Sequence, residues 1–150
     1  MDDTYLRCLI AGFEDGSWPV AEFHHMQHLA VAVHYIAENS SPYPEPIDTL
    51  RDRIKRYNVS QGGENNEDHG YHETITRFWL EVVTAYIKGL PSGLTRVEVT
   101  SRVVEEFAPK RDLFRQYYNF DVLKSREARA RWIPPNQAPG VTSILPTPSA

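Results

Sequence analysis

Residues 18–38, WPVAEFHHMQHLAVAVHYIAE, combine helical spacing of apolar side chains with a cluster of histidines. Apart from Pro19 the stretch contains no glycine or proline, and the Ser- and Pro-rich segment 39–46 ends it. Ser17 is a favoured N-cap residue, and proline is tolerated in the first turn of a helix. On a helical wheel the apolar side chains collect on one side. The stretch therefore predicts an amphipathic helix over about 18–38.

Other segments also show helical spacing, and none gives a convincing strand pattern. A first helix is predicted over 3–11, with Gly12 placed to end it, and a polar surface loop is predicted at 58–70. The remaining helical segments are 47–57, 71–89, 95–107, a short one near 113–117, and a final turn over 126–132 that Ser125 caps. We expect an all-α, single-domain helical bundle of about five to six helices over 1–133. The Pro-rich tail 134–150 is expected to be an extended strap or disordered.

The composition restricts the class of protein. The 150 residues are 41% hydrophobic and 24% charged, with a net charge of -4, which is typical of one globular domain without general attraction to nucleic acid or anionic membrane. No apolar run approaches the length of a spanning helix, and the acidic start, Met1-Asp2-Asp3, does not look like a secretory signal. Cys8 has no second cysteine to pair with, and its apolar neighbours suggest a small core residue. These features predict a cytoplasmic location.

The helical wheels separate the histidines by the direction in which they point. The six histidines are His24, His25, His28, His34, His69 and His72. His24 and His34 fall on the polar side of the helix at 18–38, whereas His25 and His28 point to the interior. His72 falls in the centre of the apolar stripe of the helix at 71–89, and His69 lies one turn earlier. Three histidines on two helices are therefore predicted to point inward.

Inward histidines need partners, because burying an unsatisfied polar group costs about 1–3 kcal/mol. Two helices can satisfy this need together by sharing a divalent transition metal such as Zn, Cu, Fe or Mn. His25, His28 and His72 are the predicted metal ligands, with His69 as an additional one. Glu73 and Glu14 are the predicted catalytic carboxylates, as a further ligand or a general base. The alternative interpretation is a set of hydrogen-bonded core histidines without a metal.

Several short motifs carry a resemblance to a known group of proteins. They are Phe13-Glu14, Trp18-Pro19, Phe23-His24-His25-Met26-Gln27-His28-Leu29, Arg56-Tyr57-Asn58, Gly70-Tyr71-His72-Glu73-Thr74-Ile75-Thr76, and Ser125-Arg126-Glu127-Ala128-Arg129 followed by Trp132. Over roughly residues 13–133 the chain resembles a family of small bacterial helical proteins of uncharacterised activity. The resemblance implies functional positions at Glu14, His25, His28, His72 and Glu73. Where members of that group often have an acidic Pro-Asp-Leu, this chain has Pro134-Pro135-Asn136-Gln137.

Three functions remain open at the level of sequence. The first is a metal-dependent enzyme, hydrolytic or oxygen-using, that acts on a small molecule, with the loop 58–70 as a lid and Tyr71, Trp79 and Tyr86 lining an aromatic pocket. The second is a non-enzymatic ligand, metal or protein-interaction module, for which exposed Tyr117 and Tyr118 and a homodimer are expected. The third is a metal-free His/Glu acid–base enzyme. None involves nucleic acid or a membrane.

Overall fold

The computed structural model describes residues 1–39 and 45–138, and within these ranges the protein is all-α, as predicted. The α-helices are α1 (Asp3–Asp15), α2 (His25–Glu38), α3 (Pro46–Ser60), α4 (Glu73–Lys88), α5 (Arg96–Phe107) and α6 (Arg126–Ala130). Short 3-10 segments occupy Val20–Glu22, Ala108–Lys110 and Leu113–Tyr117. Helix α2 lies at the centre and packs against α1, α3, α4 and α5. None of the helices in the described ranges has both the length and the apolar character needed to cross a bilayer.

Local capping chemistry explains where α5 and α6 begin. The Thr95 hydroxyl accepts the amide of Glu98, and the Glu98 carboxylate accepts the amide of Thr95, which is a complete capping box at the start of α5. Ser125 accepts the amide of Ala128 and begins α6, as the sequence predicts. With its start capped and its Val side chains packed in the core, 96–107 is a helix and not a strand.

The predicted end of α1 at Gly12 is wrong, because the helix continues to Asp15 and ends at Gly16. Gly16 has a positive φ of 80°, the left-handed conformation that glycine adopts without strain. Gly12 is instead buried inside the helix, where a Cβ atom would lie 3.0 Å from the Cβ of Trp18. The glycine therefore permits close packing of the chain that follows α1.

The predicted start of α2 near residue 18 is also wrong, because α2 begins at His25 with His24 as its N-cap. The Gln27 side chain accepts the His24 amide at 2.8 Å, in a capping box that uses a histidine. The preceding chain is held in another conformation, since the Val20 amide donates to the side chain of Gln61, the residue that ends α3. Long-range contacts thus override the Ser17 start signal.

Two apolar clusters share α2 as their common wall. One joins α2 to α4, α5 and the chain after α5, and the other joins α2 to α1 and α3. Tyr117 and Tyr118 are 1% and 3% exposed, so the prediction that they form an exposed contact surface is wrong. Cys8, which the sequence suggests is a core residue, is exposed on α1.

The polar loop that follows α3 is organised around Asn65. Helix α3 continues through Ser60, so the loop is shorter than the predicted 58–70. The Asn65 side-chain oxygen accepts the Asn58 amide group and the Tyr71 backbone amide, both at 3.0 Å, and its nitrogen donates to the Lys55 carbonyl. These bonds fix the position from which α4 starts.

An extended strap follows α6 and crosses α4. The fully buried Thr74 hydroxyl donates to the Arg131 carbonyl at 2.8 Å and accepts the Ile133 amide at 3.0 Å. Further along, the Asn136 and Gln137 amides donate to the Tyr117 carbonyl. Residues 131–138 therefore pack on the domain, and the rest of the predicted tail, 139–150, lies outside the described residues.

Candidate functional site

A cavity of about 740 Å³ opens between α2, α4 and the segment after α5. The three histidines that the sequence places inward, His25, His28 and His72, all line it, and His24 lines it as well. We call this space the histidine cavity. Its apolar walls include Phe13, Phe23, Ile54, Trp79, Leu80 and Phe114.

His25 is half-buried and is oriented by a backbone carbonyl. Its Nε2 lies 3.0 Å from the Phe107 carbonyl oxygen, so this nitrogen carries the hydrogen and donates it. The ring packs at a steep angle against Trp79, with centroids 4.7 Å apart. Burial lowers the pKa of His25, the Phe107 carbonyl opposes that shift, and the positive charge of Arg111 reinforces it. A neutral His25 therefore keeps its Nδ1 lone pair available.

His28 lies one turn after His25 on α2 and also faces the cavity. Its ring is accessible from the cavity while protein encloses its other sides, and its centroid lies 4.4 Å from that of Phe23 in an edge-to-face contact. Neither ring nitrogen has a hydrogen-bond partner within the described part of the chain. Burial, followed by the charges of His25 and His24, lowers the pKa of His28 to about 4. His28 is thus a neutral imidazole at pH 7.

His72 has both ring nitrogens occupied. Nε2 donates to the Val122 carbonyl at 2.8 Å, and Nδ1 accepts the Ile75 amide at 3.2 Å as the N-cap of α4. The predicted helix at 71–89 thus begins two residues later than expected, and His72 precedes it rather than lying in its apolar stripe. Binding a metal through His72 would require the loss of one of these hydrogen bonds.

The two predicted catalytic carboxylates face away from the cavity. Arg51 holds both oxygens of Glu73 at 2.7 Å, and the Tyr71 hydroxyl donates to Glu73 at 2.7 Å. Burial would raise the pKa of Glu73, but Arg51 and Tyr71 outweigh it and lower the pKa. Glu14 lies on the exposed side of α1 and accepts the Tyr35 hydroxyl at 2.8 Å. Neither carboxylate lines the cavity.

The remaining predicted contributors divide between the cavity and the surface. Tyr71 and Trp79 line the cavity, but Tyr86 packs on Phe107 instead. His69, the predicted additional ligand, is exposed in the loop before α4 and does not line the cavity. Over residues 1–39 and 45–138, no group of three His, Cys, Asp or Glu side chains lies close enough together to hold a metal ion. Metal binding by His25, His28 and His72 therefore stays a prediction.

Sequence reasoning missed the charged mouth of the cavity. Arg111 and Asp112 line it from the chain between the two 3-10 segments that follow α5, and Arg115 lines it from the second of these segments. Arg111 and Asp112 precede the predicted short helix near 113–117, so helical periodicity could not assign them to an inner face. The sequence also contains no signal for Arg51, which is half-buried against Glu73. That contact joins residues 22 positions apart, so no local pattern identifies it.

Comparison of the chain with models of known protein families, with curated proteins and with solved structures gave no significant match. The resemblance to a bacterial helical family therefore stays a prediction.

Proposed function

We propose that the protein binds a small organic molecule in the histidine cavity and that His28 contacts it. The observation that carries this proposal is an imidazole that faces a space of about 740 Å³ and whose two nitrogens have no hydrogen-bond partner in the part of the chain that the structure describes. Small-molecule sites are concave, largely apolar, and contain a few convergent polar groups. The aromatic walls supply apolar contact, and His28 supplies the polar group that fixes orientation.

The chemistry available at His28 is hydrogen bonding and proton acceptance. A neutral imidazole donates from one ring nitrogen and accepts at the other. With a pKa of about 4, His28 is a weak base in the free protein. A bound ligand that carries negative charge or gives up a proton would raise that pKa toward neutrality. In a metal-free acid–base enzyme on this scaffold, His28 would fill the catalytic role that the sequence assigns to Glu73 and Glu14.

The test is ligand-observed NMR with indole, 2-naphthol and 2-naphthoate on the full chain, comparing the wild type with H28L and H34L. His34 is a matched control, because it lies on α2 outside the cavity and contacts Arg96. Loss of one neutral hydrogen bond weakens binding about two- to tenfold, which we expect for H28L and not for H34L. Absence of binding by all three compounds would contradict the proposal.

A metal-dependent enzyme is the second candidate, favoured by the orientation of His25. Metal-bound histidines characteristically donate their other ring N–H to a carbonyl or carboxylate, as His25 does to Phe107. His25 and His28 lie one turn apart on α2 and both face the cavity. A Zn, Cu, Fe or Mn ion held by these two side chains would keep open positions for water and substrate. The acidic group nearest this pair among the cavity residues is Asp112, which influences His25 electrostatically.

Elemental analysis of untagged protein tests whether the protein contains a bound metal ion. We expect bound metal to be lost in H25A and H28A and retained in H72A, since His72 has no free nitrogen. Absence of metal in the wild type, together with an unchanged melting temperature on adding each ion, would exclude this candidate. The predicted cytoplasmic location and homodimer stay predictions.

A further inference from the structure

We infer that the ligand of the histidine cavity is a small organic acid with an aromatic or branched apolar body, and that Arg111 binds its anionic group. This inference rests on the proposed function and specifies its ligand class.

Arg111 lies at the cavity mouth, and its guanidinium has no counter-ion among residues 1–39 and 45–138. It is exposed and lines the cavity, and it makes no hydrogen bond or ion pair with the described parts of the chain. The neighbouring arginine, Arg115, does have acidic partners. Arg115 contacts Asp112 at 3.5 Å and Asp121 at 3.8 Å, so its charge is compensated within the protein. Arg111 is therefore the cation that the mouth leaves available for a ligand.

Two further cations near the cavity add positive potential, and the negative charge of Glu73, which lies against Tyr71, is paired with Arg51. Arg129, bonded to the carbonyls of Gly70 and Tyr71, acts on His72, and Lys55 lies over the Tyr71 ring with its ammonium 5.4 Å from the ring centroid. Asp112 is the one acidic side chain among the cavity-lining residues, and Arg115 already pairs with it. An anionic ligand enters a field of favourable sign, whereas a cationic ligand is opposed by it.

The interior behind Arg111 is shaped for an apolar body. Trp79, Phe23 and Phe114 supply flat aromatic surface, and Leu50 and Leu80 supply aliphatic surface. A guanidinium pairs with a carboxylate or phosphate through parallel hydrogen bonds, which orients the anion as well as attracting it. The ligand would then place its acid group at the mouth and its apolar body beside His28.

Matched carboxylates, amides and amines test the inference directly. The probes are 2-naphthoate with 2-naphthamide and 2-naphthylmethylamine, and indole-3-acetate with indole-3-acetamide and tryptamine. Dissociation constants are measured by NMR on the full chain, with His28 ring signals reporting occupancy of the cavity. We expect each acid to bind about five- to tenfold more tightly than its amide, as one partly exposed charge-assisted contact provides. The amines should bind most weakly.

Variants of Arg111 test whether this residue causes the preference for acids over amides. The acid-to-amide ratio should fall to about one in R111Q, remain largely intact in R111K, and reverse toward the amine in R111E. R102Q is the matched control, because Arg102 is an exposed arginine of α5 that does not line the cavity. It should leave the ratio unchanged.

The outcomes separate this inference from the proposed function. If acids and amides bind equally, or if R111Q leaves the acid preference unchanged, the inference is overturned while the cavity remains a ligand site. If no probe of any class perturbs His28, the proposed function itself is overturned. A preference for acids that disappears in R111Q and persists in R102Q supports both.

Discussion

At the scale of single residues, His72 combines the role of a helix cap with that of a tertiary anchor. Its Nδ1 satisfies one free amide of α4, and its Nε2 satisfies the buried Val122 carbonyl. We expect H72A to lower the free energy of unfolding by about 2 kcal/mol, since losing a cap or leaving a buried carbonyl unpaired each costs about that much or less. Urea unfolding measures the change.

H69A is the matched control for this prediction. His69 is exposed, and its ring is not a capping group for α4. The substitution should change stability by less than about 0.5 kcal/mol, as surface substitutions usually do. Equal losses in H69A and H72A would contradict the capping role.

His28 gives the protein a pH dependence of predictable sign. Its pKa is about 4 in the folded protein, and an unfolded histidine titrates near 6.5. Between these values the unfolded chain binds the extra proton, so the contribution of His28 to stability falls as pH decreases from about 6.5 to about 4 and is constant above that window. H28N should flatten part of this slope in urea unfolding measured from pH 4.5 to 7.5. An NMR titration of His28 with a midpoint near 6 would contradict the prediction.

At the scale of elements, the Arg51–Glu73 pair joins α3 to the start of α4. Arg51 makes hydrogen bonds to both Glu73 oxygens, and the Glu73 side chain is only 10% exposed. E73Q should therefore lower the free energy of unfolding by about 1–3 kcal/mol, the range for leaving a largely buried charged partner unpaired with some access to solvent. Ligand binding should persist, because Glu73 does not line the cavity.

Glu81 offers a control on the same helix. It pairs with Arg77 at 3.3 Å, but both side chains are more exposed than Glu73. E81Q should cost less than about 1 kcal/mol, as exposed ion pairs do. Thermal and urea unfolding of E73Q and E81Q would measure the difference between the two stability losses. A larger loss in E81Q would show that burial does not determine the strength of these pairs.

Element boundaries show which parts of the fold the sequence predicts. The starts of α5 and α6 depend on Thr95 and Ser125, whose partners lie three residues away, so local patterns identify them. The failure of the predicted helix to begin near residue 18 depends on Val20 bonded to Gln61, 41 residues distant, and no local pattern reports this. Local chemistry was sufficient only where the contacts themselves were local.

In the candidate site, too, the sequence predicts what depends on local patterns and not what depends on distant contacts. Helical periodicity accounts for His25 and His28, which lie one turn apart on α2 and face one cavity, whereas His72 reaches the same cavity as the N-cap of α4. The roles of His25 and His72 depend on carbonyls 82 and 50 residues away. Periodicity shows where a side chain points but not which atom it meets. The sequence therefore predicted that the three histidines lie around one space, but not the atoms that each of them contacts.

At the scale of the whole molecule, the strap 131–138 is attached through Thr74. T74V removes the hydroxyl that bonds to Arg131 and Ile133, and leaves two backbone groups without their partner. We expect a loss of about 1–3 kcal/mol in unfolding free energy and faster hydrogen exchange in 131–138. T84V is the control, because Thr84 lies on the same helix and makes no such contact. Unchanged exchange in the strap of T74V would contradict its role as the attachment point.

The cavity walls come from residues as far apart as Phe13 and Leu123. A piece of the chain that ends within α4 or begins within α3 would lack one side of the cavity. Ligand binding therefore requires that both apolar clusters have packed against α2. Two separately expressed halves, divided in the loop between α4 and α5, would regain ligand binding only when they associate.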